Sequence, residues 1–179
     1  MSNANRSLIA SLVLSAAGLV GIAVNEGYSD KAYPDPVLGT KVPTIGFGTT
    51  GGVKMGDTTT PVKALQRKLS DVKNFEGAIK QCVNVPLHQY EYDAYVDLAY
   101  NIGVGKSGVV DGFCESRRGG PSTLVKRLNA QDYAGACDAI LQWKKAGGVD
   151  CSLPGNKTCH GLWDRRQRMH KQCLGEVQP

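Results

Sequence analysis

The sequence predicts an α+β chain: one helix, a small antiparallel β-lobe, a long connecting helix, then a helical lobe. Three observations carry this. Residues 7–25 hold no charge and are mostly Leu, Val, Ile, Ala and Gly. Residues 27–57 are rich in Gly, Pro and Thr, with short apolar pieces between turns. From Thr60 onward apolar residues recur every three to four positions, the helical period. The segments divide as 1–25, 26–59, 60–82 and 83–179.

The first segment predicts a helix over 7–25, about 28 Å long at 1.5 Å per residue, close to the thickness of bilayer hydrocarbon. Ser11, Ser15, Gly18 and Gly21 dilute its apolar character. Arg6 and the amino terminus precede it, and no basic residue follows until Lys31, so the positive-inside rule exports what comes after. Four readings are open: a signal peptide cut near Ala23, a permanent anchor, a core helix, and a weak span that later leaves the membrane to become the first helix. A cut near Ala23 would leave Glu26 without a helix to hold it.

In the β-lobe, Tyr28, Tyr33, Val42, Ile45 and Phe47 sit between turn signals at Pro34-Asp35-Pro36, Leu38-Gly39 and Gly51-Gly52. Thr60 as N-cap and Pro61 at the first helical position open the connecting helix, whose face is Val62, Leu65, Leu69, Val72 and Ile79. Val85-Pro86-Leu87 breaks it. A second helix starts near His88 and ends at Gly103. After a Gly-rich loop over 104–120, helical pattern returns over 122–128 and 130–145, stops at Gly147-Gly148, and resumes over 161–173.

At 41% hydrophobic the 179 residues can bury a core, which excludes a disordered chain. A net charge of +5 favours an anionic partner such as a cell-surface polymer or membrane surface. Aromatic residues do not interleave with Lys and Arg, so nucleic acid is not an expected partner. The six cysteines, all beyond residue 81 and without a Cys-x-x-Cys pair, suit disulfides in an oxidising compartment rather than a metal site. Cys151 and Cys159, flanking Pro154-Gly155-Asn156, are the pair most readily bridged. No cofactor or metal is expected.

The chemistry concentrates at Glu26, Asp35 and Thr44. Two carboxyl groups are what glycoside hydrolysis needs: one protonated, to give its proton to the leaving oxygen, and one ionised, to activate water or attack the sugar. Burial separates the roles. Glu26 ends an apolar helix and suits the acid. Asp35 lies among turn residues and suits the ionised role. The Thr44 hydroxyl is placed to hold a water. Asp30, four residues from Glu26, is a rival acid.

Glu26, eight residues, Asp35, then Thr44 followed by Gly46-Phe47-Gly48 resembles the signature of the phage lysozymes of glycoside hydrolase family 24. Ala99-Tyr100-Asn101-Ile102-Gly103 and Gly161-Leu162-Trp163-Asp164-Arg165-Arg166 extend the resemblance over nearly the whole chain after residue 25. It implies a lysozyme-like fold with a β-lobe and a larger helical lobe. It also implies an N-acetylmuramidase that cuts the β-1,4 bond between N-acetylmuramic acid and N-acetylglucosamine in peptidoglycan, with inversion, as a monomer. By resemblance Glu26 is the general acid, Asp35 activates the water and Thr44 binds it. Asn101, Arg165 and Arg166 match substrate-binding positions. Two departures stand out. Eight residues separate Asp35 from Thr44, more than is common in the family, and Thr49 stands where many members have His.

The N-terminal segment is similar to a signal-arrest-release segment. That implies export by the host secretion machinery, a transient tether in the inner membrane through residues 7–25, then release into the periplasm. A disulfide to a catalytic cysteine is excluded, because no Cys precedes residue 82. Refolding remains as the activating step. A lytic transglycosylase, which needs only the Glu, and a non-catalytic peptidoglycan-binding protein are the alternatives.

Overall fold

The computed structural model describes residues 6–35 and 39–177, without the side chains of residues 35 and 39–41. The chain forms two compact units, 16–74 and a second built from 1–15 with 75–179.

The first unit opens with α1 (Ala16–Glu26), which buries Gly18, Ile22 and Ala23 at helical spacing. Gly27, at φ +69°, ends it in the left-handed conformation that glycine adopts without strain. Two antiparallel strands follow, β1 (Ser29–Asp35) and β2 (Gly39–Gly46). Their register runs Ser29 to Gly46, Tyr33 to Thr44 and Pro34 to Pro43, with irregularities before and after the proline pair. Neither proline has an N–H to give the ladder, and the register shifts on both sides of the Tyr33–Pro34 step. Ala32 and Thr59 donate to the carbonyls of Asp57 and Asp30, adding residues 57–59 along β1.

The helix α2 (Pro61–Cys82) starts and stops where its sequence signals stand. Its residues up to Asn74 belong to the first unit and those from Phe75 to the second.

The second unit is helical. The helix α3 (Gln89–Ile102) ends at Gly103, φ +78°. Glu91 accepts a hydrogen bond from the His88 amide at 2.7 Å, closing the first turn. Next come α4 (Thr123–Asn129), capped by Ser122, and α5 (Tyr133–Ile140), capped by Asp132. A short hairpin of β3 (Lys145–Ala146) and β4 (Val149–Asp150) leads to α6 (His160–Cys173). The core is formed by Tyr92, Tyr95 and Leu98 with Phe113, Leu128 and Ile140, all fully buried. Three disulfides hold it: Cys82–Cys114, Cys137–Cys173 and the expected Cys151–Cys159.

Three sequence expectations need correction. The helix expected over 7–25 is only its second half. Residues 7–15 are extended apart from a single 3-10 turn at Ile9–Ser11, and on either side of that turn Ser7, Leu14 and Ser15 bond to distant partners, Leu87, Glu76 and Asp93. Among the described residues no helix is long and apolar enough to cross a membrane. The helix expected over 130–145 is confined to α5. Gln131 takes φ +62° and Asp132 restarts the chain as an N-cap, with its side chain accepting from the Gly135 amide at 3.0 Å. Gly147-Gly148 then forms the turn of a hairpin rather than a plain helix stop.

Candidate active site

Glu26 is the last residue of α1 and is half-buried. The Gly46-Phe47-Gly48 turn lies against it. A β-carbon built on Gly48 would stand 3.1 Å from Glu26 Oε2, and Gly48 has φ +77°. The positive φ favours glycine, and the missing side chain leaves room for the carboxyl group in its observed place. Gly46, at φ +64°, meets α2 in the same way, with a built β-carbon 2.8 Å from Ala64 Cβ. The turn is wedged between the end of α1 and the start of α2.

Thr49 locks the turn. Its amide donates to the Ile45 carbonyl at 3.0 Å and its carbonyl accepts from the Ile45 amide at 2.9 Å. Its buried hydroxyl donates to Asp71 Oδ2 on α2 at 3.1 Å. Sequence reasoning noted Thr49 only as a departure from the family and missed Asp71. The i, i+3 relation of Asp71 to buried Lys68, four residues after Ala64, marks the inward face on which it borders.

Thr44 lies on β2 opposite Tyr33 and is buried, with its hydroxyl 3.5 Å from the Val42 carbonyl. Asp35 closes β1, paired through its backbone with Gly39. Its carboxyl group lies outside the described residues, as do residues 36–38. Asp30 is exposed, and its carbonyl is used by Thr59.

The helical unit holds the other three expected residues. Asn101 is exposed on the last turn of α3. Arg166, almost fully buried, donates to the Asn101 side-chain carbonyl and, through Nε, to the Trp143 carbonyl at 3.1 Å. Burial, then the neighbouring charge of Arg165, pull the Arg166 guanidinium down to about 10, with Asp97 opposing them. It stays charged near neutrality. Arg165 is also buried and pairs with Asp97 at 2.6 Å. Both arginines thus bond groups of their own unit, and Asn101 is the exposed member of the three.

Arg166 links Asn101 to a feature that the sequence reading passed over. A cavity of about 230 Å³ opens beside Trp143 and Gln142, rimmed by Asp111, Glu115, Ser116 and Thr123. The signal available was the Gly-rich loop over 104–120, whose turns bring Asp111 onto the Arg117 amide at 2.9 Å.

Comparison with known proteins follows the same lines. The profile of the phage lysozyme family matches residues 23–169. The chain is 36% identical to the SAR-endolysin of Pseudomonas phage phiKMV, over 89% of this chain and 87% of that one. It is 37% identical to the endolysin of Salmonella phage P22, over 84% and 97%. Its fold superposes on the endolysin from Escherichia coli O157:H7 phage FAHEc1 with a TM-score of 0.72 and 33% identity, covering 94% of this chain and 98% of that one. A glutamate at the end of the first helix, a Gly-x-Gly turn beneath it and this extent of likeness lead to one conclusion: the chain belongs to the phage lysozyme family and is a lysozyme-type hydrolase.

Proposed function

We propose that the protein is a phage endolysin that hydrolyses the β-1,4 bond between N-acetylmuramic acid and N-acetylglucosamine in peptidoglycan, as an inverting muramidase of glycoside hydrolase family 24. The observation that carries the reading is the packing of Gly48 against the Glu26 carboxyl group. Glu26 gives its proton to the leaving glycosidic oxygen. Asp35 takes a proton from the water that attacks the opposite face of the sugar, and the Thr44 hydroxyl orients that water. Asn101, oriented by Arg166, binds the glycan, and Arg165 supports the same helix end through Asp97.

The protein acts in the periplasm after export by the host secretion machinery, as a monomer, and is first tethered to the inner membrane by residues 7–25. The names of relatives such as the phiKMV SAR-endolysin support this. So does the surface of the folded chain: Leu8, Val13, Val20 and Val24 are 56–74% exposed, apolar side chains for which the folded protein has no core use.

The test is digestion of purified peptidoglycan. Reducing muramic acid ends are expected, with inverted anomeric configuration by proton NMR of the nascent product. 1,6-Anhydro ends would mean a lytic transglycosylase instead. Glu26→Gln is expected to abolish clearing of permeabilised Gram-negative cells, and unchanged lysis would refute the assignment.

A further inference from the structure

Three carboxylates of the helical unit are buried and take no part in the proposed chemistry: Glu76, Glu91 and Asp93. Each is spent on residues 6–15. Glu91 pairs with Arg6 at 2.6 Å, both side chains almost fully buried, and the Arg6 guanidinium also lies 3.6 Å from the Tyr133 ring centroid. Glu76 accepts from the Leu14 amide at 2.7 Å and from the Tyr92 hydroxyl at 2.9 Å. Asp93 accepts from the Ser15 amide at 3.0 Å and hydroxyl at 2.5 Å. Ser7 exchanges both backbone hydrogen bonds with Leu87, and Gln89 donates to the Val13 carbonyl.

These contacts have a common logic. Buried carboxylates are tolerated only when paired or hydrogen-bonded. Each acid has one donor within the helical unit, the Tyr92 hydroxyl, the His88 amide or the Gln89 amide group, and its other donors, two backbone amides, a serine hydroxyl and a guanidinium, all lie on one ten-residue stretch. An α-helix would spend the amides of Leu14 and Ser15 on its own carbonyls. The acids therefore recognise this stretch in its non-helical form only.

We propose that Glu76, Glu91 and Asp93 form a latch that captures residues 6–15 once they leave the membrane, and so holds the released state against return to the tethered one. The proposal rests on the reading that residues 7–25 first span the bilayer. In that state Ser7, Ser11 and Ser15, four residues apart, share one helix face, and their hydroxyls bond carbonyls of the preceding turn. After release the same residues supply the Leu87 bridge, the Ser11 hydroxyl bond to the Leu8 carbonyl and the Asp93 contact. Arg6 serves twice, as the charge that keeps the amino terminus in the cytoplasm and later as the partner of Glu91.

The test is fractionation of exported full-length protein, with limited proteolysis of the soluble share. Glu91→Gln with Asp93→Asn is expected to raise the membrane-bound share about tenfold relative to wild type, the response of a two-state equilibrium to loss of differential contacts. Residues 6–15 of the remaining soluble protein should become protease-sensitive while the three disulfides still form. An unchanged distribution and intact protection would overturn the latch. If the double variant does not form its disulfides, Ser15→Ala, which changes no residue of 75–179, must shift the distribution in the same direction, and its failure to do so also overturns the proposal. Wild-type protein never found in the membrane fraction would sink the tether reading itself, a result distinct from failure of the latch.

Discussion

Gly48 leaves open the space that the Glu26 carboxyl group borders: the place where a side chain would begin on the turn is 3.1 Å from the glutamate oxygen. Gly48→Ala therefore combines strain at φ +77° with crowding of the carboxyl group. The strain alone costs about 1–2 kcal/mol. We expect a loss of that size in urea unfolding, and a loss of activity of more than roughly tenfold because the displaced group is the proposed acid. Full activity in the alanine variant would show that Glu26 does not need the contact.

Thr49 and Asp71 pin the same turn to α2. Thr49→Val keeps the shape and removes the donor, leaving a carboxylate oxygen without that bond. The expected cost is about 1–3 kcal/mol, as for other hydrogen bonds to charged groups. Thr49→Ser retains the hydroxyl and is expected to recover most of it. Equal stabilities of the valine and serine variants in chemical denaturation would contradict the role.

Arg166 joins Asn101, the proposed glycan-binding residue, to the Trp143 carbonyl. Arg166→Met is expected to destabilise by about 1–3 kcal/mol, since it leaves the Trp143 carbonyl and the Asn101 side chain without their donor. Asn101→Ala is expected to leave stability within about 0.5 kcal/mol of wild type, as for exposed positions, while weakening substrate binding. The two variants separate holding from binding, and KM against unfolding free energy is the comparison that reads it.

Asp150 gives a pH signature. The Ser152 hydroxyl, then Lys144 and the Ser152 amide, hold its carboxyl group down to about 2. The folded value lies below the ordinary aspartate range, so its contribution is complete above that range and is lost as pH falls through about 2. NMR titration should find the Asp150 midpoint there. Asp150→Asn should remove this acid dependence from the β3–β4 hairpin, and a midpoint near 4 in wild type would contradict the Lys144 and Ser152 contacts.

What the sequence revealed depended on how far each signal travels. Thr60-Pro61, Val85-Pro86 and Gly103 act on their own turn of backbone, and the limits of α2 and α3 stand where they indicate. The contacts of Leu14 and Ser15 lie 62 and 78 residues away, so the unwinding of 7–15 had no local sign. The Gly46 and Gly48 pattern was legible because glycine is demanded there by backbone angle and by space together. Arg165 and Arg166 show the converse. Two adjacent cations read as a binding surface, yet Asp97, Asn101 and the Trp143 carbonyl, all distant in sequence, draw them inward.

Every disulfide has both ends in the helical unit, and residues 16–74 contain no cysteine. Oxidative maturation can therefore run to completion while the unit that carries Glu26 is still unfinished. Covalent stapling and assembly of the end that carries Glu26 are separate clocks, and an oxidant sets only one of them.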